Sequence, residues 1–250
     1  TIDFKLIYNH SASKTTTFLV GEAGENIIAP SYKLGRAQLW QERQMINYQV
    51  AGEHHLPKLG DLEIAWRGSI VNADRIEPNL RFFSSQYDAE TGTEGIPLAN
   101  VNDPYYLWRN LNDDIKVGAI DFTLPILKQK NDGSKIKVGG FLSNKERNFD
   151  EYRYIIATPQ YATDYTGDID AFFADDNTGL LRVDKLSGGR SRYVIGNYIN
   201  EATRVENSYA GYEDVSAAYA MVTISPLRKL KLIAGARLES TDIFVQSKIV

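Results

Sequence analysis

The chain has 250 residues, a formal net charge of -4 and no cysteine. These values exclude a disulfide framework, a thiolate metal site and the basic footprint of a nucleic-acid binder. No apolar run approaches the roughly 20 residues of a membrane-spanning helix. A transmembrane barrel stays compatible with 43% hydrophobic residues, because only every second residue of its strands meets lipid.

Read at period two, seven segments alternate in polarity. The first covers about 2–9, with Ile2, Phe4, Leu6 and Tyr8 on one face and Asp3, Lys5 and Asn9 on the other. The second covers about 34–54 and sets Ile46, Tyr48 and Val50 against Asn47, Gln49 and Glu53. In the third, about 61–72, Leu62, Ile64, Trp66 and Ile70 oppose Asp61, Glu63, Arg67 and Ser69. The fourth, about 115–127, sets Ile120, Phe122 and Leu124 against Asp121 and Thr123. The fifth, about 135–148, sets Ile136, Val138 and Leu142 against Lys135, Lys137, Ser143 and Lys145. The last two form a hairpin, 209–224 and 229–242, whose returning strand carries Leu230, Leu232, Ala234, Ala236 and Leu238 on one face.

The connections alternate too. Short turns near 55–60, 130–134 and 225–228 carry the Gly, Pro, Asn and Asp of tight hairpins. Long connections are expected near 11–33, 75–113 and 150–206. Such asymmetry puts all short turns on one edge of an up-and-down sheet and all long loops on the other, as in outer-membrane barrels. A soluble sandwich alternates as well, with its apolar face as core. Strand length separates the two: the fifth segment alone spans on the order of 45 Å when extended. The pattern predicts an all-β, antiparallel, up-and-down transmembrane β-barrel, about seven strands of a larger one, with residues 1–250 as a partial barrel domain. The start at Thr1, inside a strand pattern, fits the ordered part of a longer protein.

On these residues the chain resembles a TonB-dependent outer-membrane receptor. The resemblance is carried by Tyr48 to Trp66 with Ala73 to Arg81, by Lys137 to Tyr152, and by Tyr209 to Ile224 with Leu230 to Glu239. It covers about half of the chain, mostly strands and short turns. It implies a wall of the 22-stranded, plugged type in bacterial outer-membrane lipid, importing a scarce solute such as a siderophore, oligosaccharide, peptide or cobalamin. It also implies an N-terminal plug, absent from these residues, and an energy coupler of the TonB type recruited through an absent N-terminal region. A surface lipoprotein over the outer loops is left open. The alternative is a soluble or surface-exposed β-domain for binding or adhesion, without transport.

Catalytic patterns are not legible. Gly-x-Ser-x-Gly is missing, as are Walker and Rossmann glycine patterns, so no enzyme is expected. His54 and His55 are strand neighbours that point to opposite faces, which argues against a shared metal. Asp168, Asp170, Asp175 and Asp176 could donate oxygens to calcium, but without the spacing of a helix-loop-helix site; plain solvated acid is the other reading. The candidate ligand-binding residues are the loop aromatics Phe82, Phe83, Tyr105, Tyr106, Trp108, Phe172 and Phe173. A flat ring beside a hydrogen-bonding group can hold a solute; equally, these rings pack loops on one another or belong to an interfacial girdle. Arg237 and Glu239 share the polar face of the last strand and are expected to form a lumenal structural pair.

Overall fold

The computed structural model describes residues 1–22, 31–96, 104–126, 133–157, 167–227 and 230–249. Eleven strands are found among them: β1 (Ile2–Glu22), β2 (Ser31–Leu56), β3 (Leu62–Asp88), β4 (Thr93–Gly95), β5 (Tyr105–Pro125), β6 (Lys135–Ala157), β7 (Leu180–Lys185), β8 (Ser191–Ile195), β9 (Tyr198–Glu201), β10 (Tyr209–Leu227) and β11 (Leu230–Ser247). The seven long ones pair in the order β1-β2-β3-β5-β6-β10-β11, each antiparallel to its neighbour. The sheet is open, with β1 and β11 at its edges. The all-β antiparallel meander is thus present, while a closed barrel is not formed among the described residues.

The long strands hold between 18 and 27 residues, several times the usual five or six. They run well beyond the alternating segments. Residues 11–22 belong to β1, 75–88 to β3, 105–113 to β5 and 150–157 to β6. The expected loops at 11–33, 75–113 and 150–206 therefore shrink to the connections 23–30, 89–104 and 158–208. The short turn at 55–60 is a 3-10 turn at Pro57–Leu59, closed by Gly60 at φ 80° and Asp61 at φ 64°. The expected turn at 130–134 lies largely outside the described residues, and that at 225–228 lies partly so, between β10 and β11.

Directly paired residues share a face, so the registers trace each face across the whole sheet. One face carries a continuous apolar band. It runs through Phe4 and Leu6, Tyr48 and Val50, Ile64 and Trp66, Ile120 and Phe122, Ile136 and Val138, Ala220 and Val222, and Leu232 and Ala234. Leu230 to Leu238 spans about 26 Å along its strand, at roughly 3.3 Å per residue. Toward the long-loop edge the same face turns polar. There Asn72 donates to Asp114 at 2.6 Å, Asn112 to Asp74 at 2.8 Å and Asn144 to Asp214 at 2.6 Å, each pair directly cross-strand.

Among the described residues, nothing covers the band. Phe4 is 70% exposed, Leu142 65% and Leu238 79%. Among the described residues the only large apolar side chains fully buried are Phe83, Leu107, Ile156 and Phe172, all near the long-loop edge. A sandwich interior would have placed Leu62, Trp66, Ile136, Val138, Leu230 and Leu232 between two layers. Instead Ile136, Val138, Leu230 and Leu232 are 41–54% exposed, and each long strand contacts chiefly its sheet neighbours.

The opposite face is ionic. Asp121 accepts from Tyr219 Oη at 2.5 Å and lies 3.4 Å from Lys137 Nζ and 3.6 Å from Arg67. Gly139 makes room for this cluster. A Cβ there would meet Asp121 Oδ1 and Tyr219 Cε1 at 2.5 Å, and the Ile120 carbonyl at 2.9 Å. On the apolar face, a Cβ at Gly118 would meet nothing within 4 Å. Gly139→Val is therefore expected to cost about 1–3 kcal/mol through overpacking. Gly118→Ala is expected to be neutral or to stabilise by about 0.5–1 kcal/mol. Urea midpoints of the two variants check both.

Candidate functional site

Two regions gather functional side chains: the aromatic cluster at the long-loop edge, and the ion-pair tiers below it on the ionic face. A register shift between Glu77 and Leu80 in β3 governs the first. Up to Ile76, even-numbered residues of β3 lie on the apolar face; beyond the shift, odd-numbered ones do. Phe83, paired with Arg36, thus shares the outer part of that face with Tyr106 and Trp108, whereas Phe82 pairs with Tyr105 on the ionic side.

The seven aromatic candidates therefore form two groups. On the apolar side, Phe83 meets Phe172 at 5.4 Å and Phe173 at 5.9 Å between ring centroids. Tyr106 lies 5.4 Å from Phe173 and 5.8 Å from Trp108, and Trp108 meets Tyr154 edge-on at 5.3 Å. Burial pushes the Tyr106 phenol above its ordinary value, against the pull of the Arg81 guanidinium, which sits over its ring at 5.6 Å. Phe172 and Phe173 come from a single helical turn, α1 (Ile169–Phe172), and its cap. This turn docks the excursion between β6 and β10 onto the sheet. At 1% and 3% exposure, Phe83 and Phe172 have no ring face free for a solute; they pack the excursion down. Trp108, 38% exposed, keeps a face free.

On the ionic side, Phe82 stacks on Tyr105 at 5.0 Å with 21° between planes, and the Arg153 guanidinium caps Tyr105 at 4.5 Å. Arg153, Arg81 and Tyr154 are contributors that the sequence reading missed. Their only signal is register: β3–β5 sets Arg81 against Tyr106, and β5–β6 sets Tyr154 against Tyr106 and Arg153 against Leu107.

The excursion is organised by its own hydrogen bonds. Asp168 Oδ1 accepts from the backbone N–H of Asp170 at 2.9 Å and of Ala171 at 3.2 Å, capping α1. Asn197, 1% exposed, donates to the Phe172 carbonyl at 2.9 Å. Asp175 and Asp176 open a short 3-10 turn. Asp168, Asp170, Asp175 and Asp176 do not gather into a calcium cradle, and no group of three metal-ligating side chains exists among the described residues. His54 and His55 diverge: His54 Nε2 accepts from Trp66 Nε1 at 3.1 Å, and His55 lies 3.5 Å from Asp61.

Below the aromatics, carboxylates and cations form tiers. Arg109 donates to Glu151 at 2.8 Å and lies 3.5 Å from Glu77, which also accepts from Gln41 at 2.5 Å. The next tier is Asp113, gripped by Arg147 through two hydrogen bonds of 2.6 and 2.7 Å, with Lys145 at 3.9 Å. On β11, Arg237 donates to Glu239 at 2.9 and 2.6 Å, forming an exposed pair on the same face.

Asp113 lies beyond the apolar band, level with the Asn–Asp pairs of the other face. The Arg147 hydrogen bonds hold its carboxyl below the usual carboxylate range, against the opposing effect of burial. A depressed folded value means that the pair contributes fully above the unfolded value of about 4. The contribution is lost as pH falls through the lower folded value. Asp113→Asn is therefore expected to flatten the acid limb of a Tm-against-pH curve below about pH 4, while lowering Tm at neutral pH. An acid limb identical to that of the unmodified chain would show that the pair contributes nothing.

No protein-family model and no curated protein matches this chain. The geometry alone must carry the functional reading.

Proposed function

We propose that this chain is part of the wall of an outer-membrane receptor of the TonB-dependent kind, binding a scarce solute on its loop side and importing it. One observation carries the reading: a single-layer sheet of very long strands shows an uncovered apolar band on one face and ion-paired tiers on the other. Water alone would penalise the band at about 25 cal/mol per Å² of apolar surface. Soluble monomers rarely expose contiguous apolar patches beyond a few hundred Å². Hydrocarbon chains against the band remove that penalty, and an aqueous lumen suits the tiers. The apolar height of about 26 Å along the strand, less when tilted, agrees with the band of such barrels. The Asn–Asp pairs and the rim aromatics would then stand outside the hydrocarbon.

In this reading the barrel performs no covalent chemistry. It positions loops for the solute, braces a plug against its ionic face, and depends on a TonB-type coupler for energy. The soluble-domain alternative is the weaker reading, because among the described residues no second layer covers the band.

The test is detergent extraction of the full-length protein, followed by electrophoresis with and without boiling. Membrane recovery and heat-modifiable migration are expected. A folded, monodisperse protein that stays in buffer without detergent would sink the proposal. Steady conductance in planar bilayers without any energy source would replace the receptor with a passive pore.

A further inference from the structure

Arg43 and Arg75 stand directly opposite each other in the β2–β3 ladder, on the ionic face. Like charges so placed are destabilising, and an anion between them would relieve that repulsion. Arg75 has its Nε 3.5 Å from Glu77 and also lies within Coulombic reach of Asp113. Arg43 is exposed and makes no ion pair or side-chain hydrogen bond with any described residue.

The two guanidinium groups border a hollow of about 360 Å³, to which Asn9, Ser11, Leu111 and Asp113 also contribute. This volume lies at the lower end of the range for small-molecule sites. Asp113 is shared among Arg147, which holds it by two hydrogen bonds, Lys145 at 3.9 Å and Arg75, so one carboxylate faces several cations. Asp74, at the hollow's margin, is directed to the other face, where it accepts from Asn112. The hollow is left with surplus positive charge, two planar donors suited to bidentate oxyanion contacts, and a hydroxyl and a carboxamide alongside.

We propose that this hollow binds the oxyanion group, carboxylate or phosphate, of a small solute. The inference rests on the receptor reading for its biological sense, since the ionic face is the one that reading turns toward the solute path. Its physical content stands on the arginine pair alone.

The experiment is calorimetric titration of the full chain in detergent with sodium citrate and sodium phosphate, against sodium chloride at matched ionic strength. Saturable binding of citrate, phosphate or both is expected. Citrate alone would identify a carboxylate solute, and phosphate alone a phosphoryl one. Arg43→Gln and Arg75→Gln are expected to weaken binding at least tenfold, with Arg43→Lys partly restoring it. Without an oxyanion, Arg43→Gln is expected to unfold at no lower temperature than the unmodified chain, because it relieves repulsion. The proposal is overturned if neither oxyanion binds beyond chloride, or if both glutamine variants bind as the unmodified chain does. Heat-modifiable migration of the same preparations tests the receptor reading separately, since it does not depend on anions.

Discussion

Arginine at Val138 is expected to cost about 2–4 kcal/mol of folding stability in lipid vesicles, the penalty for a cation at the midplane of a barrel's outer face. Val138 sits in the middle of the apolar band, between Phe122 and Ala220 on the neighbouring strands. It is already 41% exposed within the chain itself. If water lay against this face, arginine would be tolerated there within about 0.5 kcal/mol, as surface substitutions usually are. The same substitution at Ser143, on the ionic face of the same strand, is the control and is expected to be mild. Urea unfolding in vesicles, followed by tryptophan fluorescence, measures both. Equal and small effects at the two positions would remove the argument for lipid contact.

Phe172→Ala is expected to release the excursion between β6 and β10. Burying a phenylalanine and then truncating it costs about 3–5 kcal/mol, and Phe172 is 3% exposed, with Phe83 and Phe173 as edge-on partners. The excursion's other ties to the sheet lie mostly at its far end, in the β9 pairing with β6 and in hydrogen bonds that join 202–208 to Glu151, Arg153 and the end of β11; near α1 the remaining contacts are those of Phe173 with Phe83 and Tyr106. Local opening should therefore precede loss of the sheet. Limited proteolysis is expected to cut within 167–208 far faster in the variant, while the far-ultraviolet signal of the strands stays unchanged. Cleavage at the unmodified rate would mean that the ring pair does not hold the excursion.

Sequence alone makes the seven-strand meander legible where one face is apolar and the other is not. Leu62, Ile64 and Trp66 against Glu63 and Arg67 are unmistakable at period two. The ladders continue past that contrast because pairing is a backbone property. Around 72–77 and 109–114 both faces are polar, with Asn72, Asp74, Asn112 and Asp114 on one and Arg75, Glu77, Arg109 and Asp113 on the other. Polarity then carries no alternation to read, and these strand ends pass for loops. The Arg237–Glu239 pair could be foreseen because residues two apart share a face. The tiers of Asp113 with Arg147 and of Asp121 with Tyr219 could not, since they join strands whose register the sequence does not reveal. Strand alternation divides the aromatic group between two sides, and a register shift in β3 decides that Phe83, not Phe82, joins Tyr106 and Trp108. Nothing in Phe82-Phe83 announces that shift.

Almost every long strand pairs with the next one along the chain. Such a wall can be laid down one hairpin at a time, each arriving strand finding its template already in place. The interruption falls between β6 and β10, where the excursion of 158–208 must be set aside before pairing resumes. Assembly should therefore pause at β6, and a chain halted there would present that strand's open hydrogen-bonding edge.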